Sequence, residues 1–159
     1  LSMYGLRRGE ICAIDPATDI DYETATIHIT KDMVEDSEHN WIIKPPKTQV
    51  SVRDVAISRD LSELIRITGK VYTGHPNSLN KALRRAQKAL GIESFSWHKM
   101  RHYCCTELYE AGISENNILA YMGWSETSDV MRDVYRHFRL KSDKVKQREI
   151  ADLISKKVV

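Results

Sequence analysis

The sequence predicts an α+β domain, mainly helical, with a small three-stranded antiparallel sheet near its N-terminus. Three observations lead there. Alternating, β-branched segments are confined to residues 24–57; helical periodicity with caps and glycine stops fills the chain after Ser58; and 159 residues suit one domain with its own core.

In chain order, Tyr4 to Ile14 reads as a helix with apolar Leu6, Ile11 and Ile14 and a stop at Pro16. Thr24 to Thr30 alternates and is rich in β-branched residues, the pattern of a strand. Asp36 to Asn40 is a polar turn, and Trp41 to Lys44 reads as a second strand. Pro45 and Pro46 end it, because proline offers no N–H to a ladder. Val50, Val52, Val55 and Ile57 mark a third strand, with Pro45–Gln49 as an exposed connection.

Ser58 caps a short helix, and residues 69–76 form a loop. Asn77 or Ser78 caps a basic helix that runs to Leu90 and stops at Gly91. Ser96 caps a helix from Trp97 to Ala111, stopped at Gly112; Ser114 caps another to about Met122, stopped at Gly123. Residues 125–136 read as a further helix or turn, and 139–157 as a basic tail with apolar Val145, Ile150, Leu153 and Ile154.

Composition excludes several classes. Apolar residues are 42% and charged residues 29%, which fits neither a disordered tail nor a membrane span. No stretch approaches the roughly 18 consecutive apolar residues of a spanning helix, and the opening LSMYGLRRGE is no signal peptide. The absence of an initiator Met suggests a fragment. Cys12, Cys104 and Cys105 are odd in number and lack metal-ligand spacing, which predicts a cytoplasmic protein with neither disulfides nor a metal centre. The net charge is only +2, but residues 1–38 carry −6, residues 78–102 carry +5 and the tail from Arg136 carries +5. Separate basic blocks suit a grip on a polyanion, or simply solvated helix faces.

Four local features bear chemistry. His98 and Arg101 stand three apart near a helix start, where N–H groups and the dipole favour an anion; Arg matches phosphate oxygens bidentately. Arg7 and Glu10 are likewise three apart, so the carboxylate can orient the guanidinium. Lys47 occupies a turn between strands. Gly123-Trp124 is followed eleven residues after Trp124 by Tyr135. Taken singly, each has an ordinary reading: a surface pair, a weak salt bridge, an exposed turn lysine, a core tryptophan.

Their order is less ordinary. Gly5-Leu-Arg-x-x-Glu10, a turn Lys, His98-x-x-Arg-His102, Gly-Trp and then Tyr together resemble the catalytic domain of tyrosine recombinases, the phage-integrase family. Lys47-Thr-Gln-Val-Ser-Val-Arg53 resembles the Lys-Thr-x-x-Ser-x-Arg pattern of integrases from conjugative transposons and related phages. The resemblance runs from Tyr4 to about Phe138. Met100 replaces a usual Leu, and the Trp124–Tyr135 gap is slightly longer than the common pattern; Tyr103, Tyr109 and Tyr121 all precede Trp124.

The resemblance implies site-specific DNA recombination, integrating or excising a mobile element through a 3′-phosphotyrosyl intermediate without metal or cofactor. Arg7 and Arg101 would clamp the scissile phosphate and Lys47 protonate the leaving 5′-oxygen. His98 would serve proton transfer, Trp124 donate its indole N–H, and Tyr135 attack. Glu10 and His102 would brace the site. Beside them, Lys81, Arg84, Arg85 and Lys88 would meet DNA phosphates, while Leu79, Ala82, Leu83, Ala86 and Leu90 pack inward.

Residues 1–138 would be a catalytic domain truncated at its N-terminus, lacking the preceding helices and a separate DNA-clamping domain. Residues 139–159 would form a basic helix docking on a neighbouring protomer or on its own domain. Expected partners are double-stranded DNA, further copies of the chain as a tetramer on DNA, and accessory DNA-bending or excision factors; no membrane is expected. The alternatives are a type IB topoisomerase-like nicking and closing enzyme, or a DNA-binding module without catalysis.

Overall fold

The computed structural model describes residues 1–125. A 3₁₀ turn at Ser2–Tyr4 leads into helix α1 (Arg8–Ala13). Strands follow as β1 (Ile20–Asp21), β2 (Thr26–Ile29), β3 (Asp32–Glu35), β4 (Trp41–Lys44) and β5 (Arg53–Ala56), and then helices α2 (Arg59–Thr68), α3 (Pro76–Leu90), α4 (Trp97–Glu110) and α5 (Glu115–Met122).

The sheet is three-stranded and antiparallel as predicted, but its membership differs. Its order is β1-β2-β5, with Ile27 opposite Val55 and Ile29 opposite Arg53. Trp41–Lys44 is a strand, yet it pairs with Asp32–Glu35 in a separate hairpin around the polar Asp36–Asn40 turn. Its side chains explain the separation: Ile42 and Ile43 are exposed, so this ribbon contributes little to the core. The third strand is also shorter than its apolar pattern predicts. Gln49–Ser51 is a 3₁₀ turn, and Val50 and Val52 are exposed. The inward parity is instead Arg53, Val55 and Ile57, since alternate strand residues share a face.

The predicted helix from Tyr4 to Ile14 is broken at Gly5, whose φ of +79° closes the 3₁₀ turn. An added Cβ there would lie 2.8 Å from Met122 Sδ, so the position is reserved for glycine twice over. Arg7 consequently sits at the N-cap of α1 instead of within it. Gly9 is equally constrained: its missing Cβ leaves room for Asp32 Oδ1 and, at 2.5 Å, Met33 O, which lets the β3–β4 hairpin lie on α1.

Leu6, Ile11, Ile27, Ile29, Val55 and Ile65 form the centre of the core between α1, the sheet and α2. Cys105, Ile118 and Met122 seal the α4–α5 pair. Serine caps at Ser58, Ser96 and Ser114 accept the expected backbone N–H groups. α3 starts earlier than its predicted cap: His75 is its N-cap, Pro76 opens the first turn, and Ser78 Oγ accepts the His75 N–H at 3.1 Å. Within α3, Pro76, Leu79 and Gln87 are buried while Ala82, Ala86 and Leu90 are exposed, which corrects the predicted packing face. The buried amide is satisfied, Gln87 Nε2 donating to Phe95 O at 2.9 Å. The expected helix at 125–136, the tail after 138, the boundary at 138/139 and Tyr135 lie outside the described residues.

Gly9→Ala is expected to lower the unfolding free energy by roughly 2 kcal/mol, as overpacking against a backbone does. Urea unfolding followed by circular dichroism checks this, and an unchanged midpoint would show that the hairpin rides freely on α1.

Candidate active site

The break at Gly5 places Arg7 where its side chain meets the far end of the domain. Glu10, buried at 2% exposure, accepts the Arg7 backbone N–H at 2.7 Å and Arg7 Nη1 at 2.6 Å. Arg7 Nη2 donates to Gly123 O at 3.1 Å, the residue that ends α5 in a left-handed turn. Arg7 keeps about a third of its side chain exposed, leaving donors for a ligand.

Arg101, on α4, comes to the same place from beneath. Its Nη1 donates to Gly5 O and its Nη2 to Met122 O. It is 1% exposed, lies 4.0 Å from Glu10, and its Nε–H is buried without a partner. The Trp124 ring packs over it, 5.0 Å from guanidinium carbon to ring centroid, a cation–π distance. Arg53, 5% exposed, completes the group with hydrogen bonds to both Glu10 oxygens, at 2.9 and 3.0 Å.

Three guanidinium groups thus share one carboxylate. Burial pushes the Glu10 carboxyl up, but the Arg53 bonds and charge, joined by Arg7, outweigh it and hold the carboxyl below its ordinary value. Burial, then the neighbouring Arg7 charge, lowers Arg101 to about 9. The cluster carries a surplus of positive charge that a bound anion would neutralise. A phosphodiester under attack, which gathers negative charge on its equatorial oxygens, would match this surplus in charge.

Arg7, His98 and Arg101 line one cavity of about 450 Å³, together with Arg8, Trp97 and the β3–β4 hairpin. His98 keeps a solvent-exposed face, and its ring meets His102 edge-on at 4.5 Å between centroids. Partial desolvation, His102 and the arginines lower its pKa, which favours the neutral imidazole. Of the sequence-predicted residues, the structure therefore brings together Arg7, Glu10, His98, Arg101, His102 and Trp124. Lys47 is exposed in the turn after β4 and is not part of the cavity lining. Lys81, Arg84, Arg85 and Lys88 are all exposed; at 3.6 residues per turn Lys81, Arg85 and Lys88 lie on the side of α3 opposite Leu79 and Gln87, and Arg84 flanks Gln87.

Three residues of the site are missing from the sequence-based set. Arg53, which entered only through the Lys-Thr-x-x-Ser-x-Arg pattern, becomes legible as a buried charge once Val55 is known to face inward, because it shares that parity. Arg8 and Trp97 gave no such signal; Arg8 Nη1 and Trp97 Nε1 are buried donors without partners beside the cavity. Among the described residues no group of three His, Cys, Asp or Glu could hold a metal ion, and no helix is long and apolar enough to cross a membrane. The three cysteines are buried and form no disulfide, burial pushing the Cys12 and Cys105 thiols up to about 11.

The phage integrase family model matches residues 1–141 of the chain. The chain belongs to the phage integrase family. A tyrosine recombinase XerC-like protein of Caldanaerobacter subterraneus subsp. tengcongensis is 23% identical over 168 residues, covering 84% of this chain and 42% of that protein. The fold is similar to that of a Tn1549 transposon integrase in complex with transposon right end DNA. The TM-score is 0.70 at 20% identity, over 95% of this chain and 56% of that one. The same integrase in complex with circular intermediate DNA gives a TM-score of 0.67 at 19% identity, over 87% and 57% of the two chains. At these identities the likeness to the solved structures is one of fold. This integrase-family chain spans under half the length of the recombinase and little over half of the solved integrase.

Glu10→Gln tests the electrostatic account. A carboxyl with a depressed folded pKa contributes stability above its ordinary value of 4.5, and that stability is lost as pH falls through the folded pKa. The variant is expected to be less stable by about 3 kcal/mol at pH 7, the cost of stranding buried partner charges. Its stability should also fall less steeply than the wild type's on acidification below pH 4.5. Denaturant unfolding across pH measures both, and equal acid limbs would show that Glu10 is not the titrating group.

Proposed function

We propose that the whole protein is a site-specific DNA recombinase that integrates or excises a mobile element by cutting and rejoining double-stranded DNA through a 3′-phosphotyrosyl intermediate. The observation that carries this reading is that Arg7, His98 and Arg101 line one cavity, with the Glu10 carboxylate between the arginines and the Trp124 ring over Arg101. Family membership supports it, as do the DNA complexes of the Tn1549 integrase.

In this reading the Tyr135 oxygen attacks the scissile phosphorus, and the phosphorus–O5′ bond breaks. The neutral His98 imidazole takes the phenolic proton, and Lys47 protonates the departing 5′-oxygen. Arg7, Arg101 and the Trp124 indole N–H hold the phosphate oxygens as charge accumulates on them. A 5′-hydroxyl of the partner duplex then attacks the phosphotyrosine, releasing Tyr135 and restoring a phosphodiester; the bond energy is conserved in the ester. Glu10 and His102 position these groups, and Arg8 and Trp97 supply further donors toward the DNA backbone. Further copies of the chain assemble on the DNA to bring two duplexes together.

In the full-length protein, Tyr135→Phe is expected to abolish covalent adducts on a nicked suicide substrate while DNA affinity stays nearly intact. Lys47→Ala should recover cleavage when the leaving 5′-oxygen is replaced by sulfur, because a thiolate departs without a proton. Adducts in the Tyr135→Phe protein would assign the nucleophile elsewhere. Relaxation of supercoiled DNA without exchange between two sites would point to a nicking and closing enzyme.

The basic face of α3 has its own test. Arg84→Ala with Arg85→Ala should weaken binding across all sequences and flatten the log-affinity against log-salt slope by about 0.9 for each phosphate left unneutralised. An unchanged slope would show that this face does not meet DNA.

A further inference from the structure

We infer that Arg53 is a positioning residue that fixes the Arg7 guanidinium, acting through Glu10 and the turn after α5. It rests on the reaction proposed above, in which Arg7 touches the phosphate.

Arg53 opens β5 and faces inward beside Val55, 5% exposed. Unlike Arg101 it is not among the residues lining the cavity, and its donors are nearly all committed. Nε donates to Tyr121 O at 2.9 Å; Nη1 donates to Glu10 Oε1 at 2.9 Å and to Ser51 O at 3.1 Å; Nη2 donates to Glu10 Oε2 at 3.0 Å. The opposite edge of the same carboxylate belongs to Arg7: Oε1 accepts Arg7 Nη1 and Oε2 accepts the Arg7 backbone N–H. Each Glu10 oxygen therefore takes one bond from Arg53 and one from Arg7. Neither set survives if the carboxylate rotates, so Arg53 locks the plane in which Arg7 is held.

The second route runs through α5. By holding Tyr121 O, Arg53 anchors the turn whose Met122 and Gly123 carbonyls accept Arg101 Nη2 and Arg7 Nη2. The contact is close: a Cβ added to Gly123 would lie 3.1 Å from both Arg53 Cδ and Nη1. Lysine cannot replace this. Its ammonium is a single point with three donors, whereas the site needs a planar fork spanning Glu10 and an edge donor for Tyr121.

The test uses the full-length protein with Arg53→Lys and Arg53→Met. The rate of adduct formation at saturating suicide substrate is expected to fall by about 100-fold, the scale of loss when a reacting contact is misplaced by an ångström. DNA Kd, measured in the Tyr135→Phe background, should stay near the wild type's, and thermal melting should show the variants folded at the assay temperature. Without DNA, the Arg7 Nε–H resonance should lose its single sharp line. The proposal is overturned if Arg53→Lys reacts as fast as the wild type with an unchanged Arg7 signal. It is equally overturned if the rate loss only follows the unfolded fraction, if affinity falls as much as rate, or if neither variant folds. Should the wild type itself form no adduct, the recombinase reading fails, and the Arg7 resonance alone still decides whether Arg53 holds Arg7.

Discussion

A single buried carboxylate organises this domain. Glu10 sits on the short helix α1 among the side chains of Arg7, Arg53 and Arg101, which come from an N-cap, a strand and a helix far apart in the chain. A buried carboxylate stripped of such partners would be protonated or would pull the structure open. Three cations gathered without it would repel. Neither half of the arrangement is stable alone, so the elements bearing them are held in register by charge as much as by apolar packing. The turns at Gly5 and Gly123 serve the same end, because both present carbonyls to the arginines and both need a left-handed backbone to do so.

The cluster holds more positive charge than its one carboxylate can balance. Glu10 neutralises one guanidinium, and carbonyl dipoles absorb part of the rest. Burial and the Arg7 charge still drag the Arg101 pKa down to about 9, a sign that this cation lacks a full counter-charge. Any anion seated against Arg7 and Arg101 relieves that cost, so part of its binding energy comes from strain already present in the fold. A phosphate gains twice over, since its charge is neutralised by groups whose positions are fixed before it arrives. Preorganised dipoles of this kind stabilise charge more effectively than water, which must reorganise.

Much of this is visible in the sequence, and the reasons for the exceptions are physical. Serine caps and glycine stops locate α2, α4 and α5 because those signals are local. The strands are harder. Two residues of β1 are too few to show alternation, and Asp32–Glu35 carries acids at both ends, so only its pairing with Trp41–Lys44 makes it a strand. The parity of β5 is misleading because Val50 and Val52 are apolar yet exposed, while the inward position is taken by an arginine. Apolar patterning cannot find a buried charge. In the site, Arg7, Glu10, His98 and Arg101 are legible from spacing and order, whereas Arg53 becomes legible only once its neighbours on the strand are known to face inward.

The groups of the proposed site divide by exposure in a way that suits the proposed reaction. Arg53 and Arg101, together with Glu10, are almost wholly enclosed, while Lys47 and His98 keep faces toward solvent. Stabilising charge on a phosphate demands fixed donors in a region of low dielectric, and enclosure provides both. Moving protons demands the opposite. A group that must bind a proton in one step and release it in the next needs a pKa near the working pH, and full burial among cations would drive a lysine or histidine out of that range. His98 already shows the direction of that pressure, its pKa lowered by partial desolvation and by His102 and the arginines. Its place at the edge of the cluster limits the shift while keeping the imidazole on the cavity wall, so in the proposed reaction the rigid and the titrating parts of the site would occupy different depths of the same fold.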